Sequence, residues 1–430
     1  MKKIIASLQW TIFIIAGNLI PPIAVAASFG LNPQDTMLFL QRTIFVLGVA
    51  GLIQGLFGHK LPIYEGPAGL WWGVFTLYAS LAQALFGGAN PTLQVLSFSL
   101  MLSGIICIVL SLLGIVDKLS KYFTPKVVGV YLILLAIQLA SGFLKGMMGV
   151  GYLGNDVSPK ILLISIILVL ISISISKSKN LSSYAVMIVI IVGWGLFYLL
   201  GLTKAMPEVN GFFQLPGIFV FGFPKVEFSM IPTVLLITLL LLTNMLASIQ
   251  VVKNVVEGIE GKEKKVNIKK SGIITGINQI ISGGFSAIGP VPLSAVAGFL
   301  SQTKMTSMMP FIVGNILVIV ISTITPVTAF FSTLPTPVGY SAIFIVFAKM
   351  VGLGIGEFDK VLERGKLHST IGIPLFIGAG IMFVPTTAFM SLSPALTSFL
   401  SNGLVLGTIV ALIMETVSQC KSKNLKKEVE

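Results

Sequence analysis

The sequence predicts an all-α polytopic membrane protein of about fourteen transmembrane segments, arranged as a 7+7 inverted repeat. Three observations lead there. The chain is 55% hydrophobic and only 10% charged, with a mean hydropathy of +0.98, which places it among membrane proteins rather than soluble domains. Apolar runs long enough to cross about 30 Å of hydrocarbon recur from end to end. Finally, Gly66-Pro67-Ala68-Gly69-Leu70 and Gly289-Pro290-Val291-Pro292-Leu293 share one helix-hostile pattern. Such backbone at membrane depth is tolerated only where it is buried in protein or lines a cavity.

The runs fall at 9–27, 38–57, 64–86, 94–115, 124–143, 159–176 and 182–202 in the first half. Those of the second half lie at 230–251, 271–284, 288–303, 308–328, 335–355, 369–389 and 395–418. The spans within 271–303 are short, because Ser282-Gly283-Gly284 and Gly289-Pro290 interrupt one long apolar stretch; twelve or thirteen spans is the alternative.

The net charge of +13 does not point to nucleic acid, because its placement follows the membrane. With a cytoplasmic N-terminus and fourteen spans, 23 of the 28 Lys and Arg residues fall inside. The five outside are Arg42, Lys145, Lys160, Lys204 and Lys225. This is the positive-inside asymmetry. The cluster from Lys253 to Lys270 then reads as a solvated cytoplasmic loop, with contact to anionic lipid as the alternative. Cys107 sits in a span and Cys420 in the tail, so there is neither a disulfide framework nor a zinc spacing. Met1-Lys2-Lys3 and the apolar run after it superficially resemble a signal peptide. The run continues through Asn18 and Pro21-Pro22 without a small-residue cleavage site and is read as a retained first span.

Dividing the chain at the external connection 204–229 gives a first repeat over 1–203, a second over 230–418 and a cytoplasmic tail over 419–430. Seven spans per half is an odd number, so the second half enters the membrane upside down. The two Gly-Pro segments then occupy the third span of each half, and broken segments at corresponding places point to a central transporter site.

Five stretches carry a family resemblance: Glu65-Gly66-Pro67-Ala68-Gly69-Leu70-Trp71-Trp72-Gly73, Tyr122-Phe123-Thr124-Pro125, Ser282-Gly283-Gly284-Phe285, Leu334-Pro335-Thr336-Pro337-Val338 and Ser401-Asn402-Gly403. Across nearly its whole length the chain resembles the nucleobase/ascorbate transporter family, the nucleobase:cation symporters that include uracil, xanthine and purine permeases. Its Glu-Gly-Pro and Leu-Trp-Trp-Gly together look most like the purine permease branch. The resemblance implies a core domain of spans 1–4 and 8–11 holding the substrate, and a gate domain of spans 5–7 and 12–14. It also implies short strands opening spans 3 and 10, which Pro62, Pro67, Pro290 and Pro292 independently favour. Two half-helices then start near Leu70 and Leu293, their free N–H groups converging at the midplane. Family members often pair through the gate domain, which makes a homodimer the expected partner state.

A nucleobase is a flat ring edged with alternating donors and acceptors. Free backbone at Ala68, Gly69, Leu70, Leu293, Ser294 and Ala295 can meet that edge without side chains. Asn244 and Ser248, four residues apart, share a helical face, and an amide offers both donors and an acceptor. Asn18 supplies a second intramembrane amide. Asn18 and Asn244 have the alternative role of inter-helical hydrogen-bond glue. Trp71 and Trp72 are either packing residues or a stacking platform. A crossing with no ligand contact is the bland reading of the Gly-Pro segments.

The chain departs from the family in two places. The tenth-span motif is Gln or Glu, Asn, any residue, Gly, four variable residues, then Thr and a basic residue. Gly298, Thr303 and Lys304 fit it, but Ala295 and Val296 replace its polar pair. Span 8 usually bears a substrate-binding Glu, and Thr243-Asn244-Met245-Leu246-Ala247-Ser248 has none. Substrate and coupling therefore do not transfer directly. Glu65 becomes the proton-coupling candidate, since an intramembrane carboxylate is costly unless paired, protonated or hydrated. The alternative puts it at the cytoplasmic mouth after His59-Lys60, paired with a basic residue. Lys349 snorkels to the cytoplasmic interface or faces the core as an internal cation. Glu415 is interfacial, and His59 and His368, without metal-ligand company, are surface residues.

These residues predict a cytoplasmic-membrane secondary transporter, both termini cytoplasmic, for a purine or a uracil- or xanthine-type base. A proton gradient is the family expectation, with sodium coupling, exchange or an uncoupled facilitator as alternatives. The rival is an anion transporter of the same architecture, of sulfate or bicarbonate type, because positive half-helix ends suit anions. No phosphate-binding Gly-x-x-x-x-Gly-Lys-Ser/Thr loop occurs, which argues against ATP. No cofactor, metal site or catalytic residue is expected. With two histidines and few intramembrane carboxylates, an enzyme is disfavoured, and a receptor would need an output domain longer than this tail.

Overall fold

The computed structural model describes residues 2–116, 124–178, 181, 185–209, 211–359, 361, 367–389, 392, 396 and 400–429. They are mostly helical. The first half contains α1 (Lys2–Asn18), α2 (Ile20–Ser28), α3 (Pro33–Phe57), strand β1 (Glu65–Pro67), α4 (Gly69–Phe86) and α5 (Ala89–Leu112). It continues with α6 (Pro125–Met147), α7 (Pro159–Ser176) and α8 (Ala185–Leu199). The second half contains α9 (Ile231–Glu260), α10 (Ile268–Gly284), strand β2 (Pro290–Pro292), α11 (Val296–Thr303) and α12 (Met308–Thr323). It ends with α13 (Thr325–Ser332), α14 (Thr336–Asp359), α15 (Leu367–Met382) and α16 (Gly403–Val429). Among the described residues, six stretches are long and apolar enough to cross a membrane by length and composition: Lys3–Ser28, Pro33–Phe57, Ala89–Leu112, Pro125–Met147, Pro159–Ser176 and Phe228–Glu260.

Local chemistry sets several helix ends. Asn32 caps α3 by accepting the Asp35 N–H at 2.8 Å, with Pro33 in the first turn, a cap of about 1 kcal/mol. Asn267 caps α10 through the Lys270 N–H at 2.9 Å. Thr124 and Pro125 open α6; Tyr122 and Phe123 lie outside the described residues.

Several boundaries differ from the sequence reading. The first span is two helices broken at Leu19, because Pro21 and Pro22 fit the first turn of α2 but not the interior of one helix. The eleventh breaks at Ile324: the Thr325 N–H donates to Phe212 O at 3.0 Å, and Pro326 enters the first turn of α13. Span 10 is helical only over the eight residues of α11, which starts three residues beyond Leu293. The basic cluster is shorter as a loop, since α9 runs to Glu260, with Lys253 and Glu257 paired at 3.6 Å one turn apart. The tail is helical through Val429.

Packing interleaves the halves. α5 lies against α10 and α9, α3 against α12 and α10, and α1 against α12. A second group joins α14 to α6, α7 and α8, and α16 to α15 and α6. The α5–α10 contact is close because Gly104 faces Gly276. A Cβ at Gly104 would sit 2.6 Å from Ile280 Cγ1, and one at Gly276 2.6 Å from Ile108 Cγ1. Small residues give such helices their dispersion contact where no hydrophobic force acts between them.

The connection 204–229 is tied to the first group. Gln41 Nε2 donates to Gln214 O at 2.7 Å, Gln94 Nε2 to Phe221 O at 2.7 Å, and the Phe219 N–H to Gly284 O at 2.8 Å. Arg42 lies within α3 and is 2% exposed, its guanidinium 5.2 Å from the Phe221 ring centre and 5.8 Å from that of Phe39. Its charge is held by aromatic faces rather than by external water.

Gly104→Val is expected to lower stability in detergent by about 1–3 kcal/mol through overpacking, whereas Gly142→Ala, with no atom within 4 Å of the added Cβ, should be neutral. Thermal unfolding of the purified variants checks this.

Candidate substrate site at the paired strands

The two Gly-Pro segments meet. β1 pairs antiparallel with β2 in the register Glu65↔Pro292, Gly66↔Val291, Pro67↔Pro290. All six residues are buried. Three of them are prolines without an N–H, so flanking residues extend the bonding. The Ala68 N–H donates to Gly289 O at 2.9 Å and the Leu293 N–H to Tyr64 O at 3.2 Å. Gln279, fully buried on α10, donates from Nε2 to Pro290 O at 2.6 Å. At Gly66 there is no room for a Cβ: it would stand 3.0 Å from Leu293 Cγ and 3.1 Å from Asn18 Oδ1.

The register fixes where the helices begin. α4 leaves the Pro67 end of the pair and α11 the opposite, Pro292 end. Four residue steps of about 3.3 Å, from Tyr64 opposite Leu293 to Ala68, separate the two starts by roughly 13 Å along the pair. Their free N–H groups therefore bracket the strands from opposite ends instead of meeting at one point. In α4 the first intrahelical bond runs from the Trp72 N–H to Ala68 O, which leaves the Gly69, Leu70 and Trp71 N–H groups as first-turn donors. In α11 the Val296, Ala297 and Gly298 N–H groups donate to Leu293, Ser294 and Ala295 oxygens. Ser294 and Ala295 keep theirs free among the described residues.

The predicted site residues divide by exposure. Ala68, Leu70, Asn18, Glu65 and Ser248 are buried; Gly69, Asn244 and Leu293 are half-buried; Ser294 and Ala295 are exposed. α9, which bears Asn244 and Ser248, packs against both β2 and α11. Asn18 ends α1 beside Gly66 with its Oδ1 unpaired. Trp71 and Trp72 are packed: Trp72 lies 5.3 Å from Phe143 and 5.6 Å from Phe347 between ring centres, and Trp71 is fully buried.

Glu65 is enclosed, with its side chain 0% exposed and neither oxygen hydrogen-bonded. Its Oε1 lies 3.9 Å from His59 Nε2. His59 is not a surface residue; it is 1% exposed, because the loop after α3 folds back under β1. Glu415 is likewise enclosed more than an interfacial position implies, bonded to Lys126 at 3.0 Å across α16 and α6. The Lys349 and His368 side chains lie outside the described residues.

Among the amides not singled out in the sequence, four bear on the helices around the strand pair. Besides Gln279, Gln138 on α6 donates to Gly73 O of α4 at 3.1 Å. Gln54 donates to Ser271 O at 3.1 Å and Thr275 Oγ1 at 2.9 Å. Asn278 Nδ2 stands 3.5 Å from Ala50 O. All four keep a side-chain oxygen unpaired. The available signal was an amide inside an apolar run, the same one that drew attention to Asn18 and Asn244.

Comparison with known proteins identifies the family and the fold. The model of the xanthine/uracil permeases, described as "Permease family", matches residues 1–387. YwdJ of Bacillus subtilis (strain 168), provisionally named a purine permease, is 42% identical over 417 residues, covering 96% of this chain and 95% of its own. The uric acid permease PucK of the same organism is 22% identical, covering 99% and 97%. Among solved structures, the transmembrane domain of the cyanobacterial bicarbonate transporter BicA superposes with a TM-score of 0.59 at 18% identity, covering 95% of this chain and 97% of its own. SLC26A9 gives 0.64 at 12% identity, with 96% and 66% covered. At such identities these two show a shared fold. With a family match across most of its length and a relative at 42% identity, the chain belongs to the xanthine/uracil permease family of multi-pass membrane transporters.

Proposed function

We propose that this protein is a secondary active transporter taking up a purine-type nucleobase, or a uracil or xanthine analogue, by alternating access. The observation that carries the reading is the buried strand pair with free N–H groups at both ends, in the first turn of α4 and at Ser294–Ala295 just before α11. Such donors present a fixed polar edge inside an apolar protein, which suits a planar base. The relatives named for purine, uric acid and xanthine permeation support the substrate class.

In this reading, residues 1–203 and 230–418 are inverted repeats of seven spans each, with both termini cytoplasmic. A core of spans 1–4 and 8–11 holds the base between Gly69–Leu70, Ser294–Ala295 and Asn244. It moves against a gate of spans 5–7 and 12–14, through which two copies pair. Glu65 carries the coupling proton, replacing the carboxylates that spans 8 and 10 of the family usually supply. Its enclosure without a hydrogen-bond partner supports that role, because an unpaired ionised carboxylate is costly there.

Uptake of radiolabelled uracil, xanthine, hypoxanthine, guanine and adenine into proteoliposomes tests the reading. One base should enter saturably, and an inward gradient of about one pH unit should support up to about tenfold accumulation for one proton per base, since 1.4 kcal/mol is a factor of ten. Glu65→Gln should abolish that accumulation while base-for-base counterflow persists. Gradient-independent uptake would remove Glu65 as proton carrier, and transport of sulfate or bicarbonate instead of any base would overturn the substrate class. Gly66→Ala, which forces Leu293 and Asn18 off the strand, is expected to slow initial uptake by about tenfold or more, the consequence of some 1.4 kcal/mol of misplacement.

A further inference from the structure

The coupling carboxylate has a neighbour whose tautomer the backbone fixes. His59 Nδ1 accepts the Leu61 N–H at 3.1 Å. A neutral imidazole has one donor and one acceptor nitrogen, so with Nδ1 accepting, the ring proton sits on Nε2. That nitrogen has no hydrogen-bond partner and stands 3.9 Å from Glu65 Oε1, both side chains being 0% exposed. A shift of about 1 Å would close a hydrogen bond of ordinary length.

Among the described residues no other charge is placed against the pair by the neighbouring elements. The elements packed against β1 include β2, α1 and α3. β2 holds only Pro290, Val291 and Pro292. The charges of α1 are its first two residues, and those of α3 are Asp35 and Arg42 in its first half, away from β1. In the loop itself Lys60 is exposed, and the Tyr64 hydroxyl lies beside Gly17. Within the strand pair, Glu65 opens β1 about 10 Å of strand before Ala68 and the start of α4, and it stands opposite Pro292, at the end from which α11 departs.

We propose that His59 is the positioning residue that sets the proton occupancy of Glu65, the two forming a proton-holding pair on the strand side of the site. This rests on the reading of Glu65 as proton carrier. Loading forms a Glu65 O–H bond at the expense of a hydronium O–H bond, leaving water. Release reverses it, and the His59 Nε2–H donates to the carboxylate that remains. The imidazole keeps its own proton throughout. Its effect is to favour the ionised form, so that release proceeds without a carboxylate on a substrate helix.

Acid-minus-base infrared difference spectroscopy of the purified protein in lipid reads this without any substrate. The expected result is a protonated-carboxyl C=O band that is missing in Glu65→Gln. In His59→Phe its loss should move to higher pH by about one unit or more, tenfold in proton concentration, and His59→Asn, which keeps a donor, should restore part of the shift. An unchanged midpoint in folded His59→Phe, or a band indifferent to Glu65→Gln, overturns the proposal. Because the chain has only two histidines, ¹⁵N NMR of the unmodified protein gives a second measurement. One histidine should be neutral with its proton on Nε2 and respond across the same pH midpoint, and a histidine pair silent there overturns the assignment equally. A positive infrared result with no base uptake would count against the nucleobase reading alone.

Discussion

The constraint on which this architecture depends is the satisfaction of backbone hydrogen bonds where no water replaces them. Unpaired peptide groups at membrane depth cost several kcal/mol each, yet β1 and β2 put three prolines among six residues. The pairing survives because the flanks supply what the prolines cannot: the Ala68 and Leu293 N–H groups donate across to Gly289 and Tyr64, and Gln279 reaches Pro290 O from α10. The same arrangement leaves free the first-turn donors of α4 and the Ser294 and Ala295 N–H groups that precede α11. What makes the segments difficult to fold is thus what leaves polar groups available to a ligand.

Around this pair the interior is braced by amides and opened by glycines. Gln54 and Asn278 join α3 to α10, and Gln138 joins α6 to α4. Each such bond contributes a net of about 0.5–1.5 kcal/mol, but each also selects one register of neighbouring helices. Gly104 and Gly276 let α5 and α10 approach closely. The Gln54, Asn278 and glycine contacts link the first half of the chain to the second, and Gln138 ties α6 to the helix that leaves β1, so the placement of the candidate site is a property of the whole fold.

Much of the membrane character was legible in residue type alone. Long apolar runs marked the six stretches that suffice to cross a bilayer, and Gly-Pro clusters marked the segments that lie extended at Glu65–Pro67 and Pro290–Pro292. What escaped the sequence was geometry. The break at Leu19 depends on how Pro21 and Pro22 are accommodated, and hydropathy averages over it. The offset between the starts of α4 and α11 follows from strand register, which composition does not encode. The burial of His59 and Arg42 was missed because polarity predicts exposure, and nothing local to either residue reports the loop that folds back under β1 or the Phe221 ring that covers the guanidinium.

The central claim is that the strand pair and its two helix starts are where a base binds. The most direct measurement is an experimental structure of the protein in lipid with a transported base, xanthine being the first to try. The account predicts a planar ligand density beside β1 and β2, its polar edge within about 3 Å of the free N–H groups at Gly69–Trp71 or Ser294–Ala295. Density for the base elsewhere, with those donors bonded to protein or water, would contradict it.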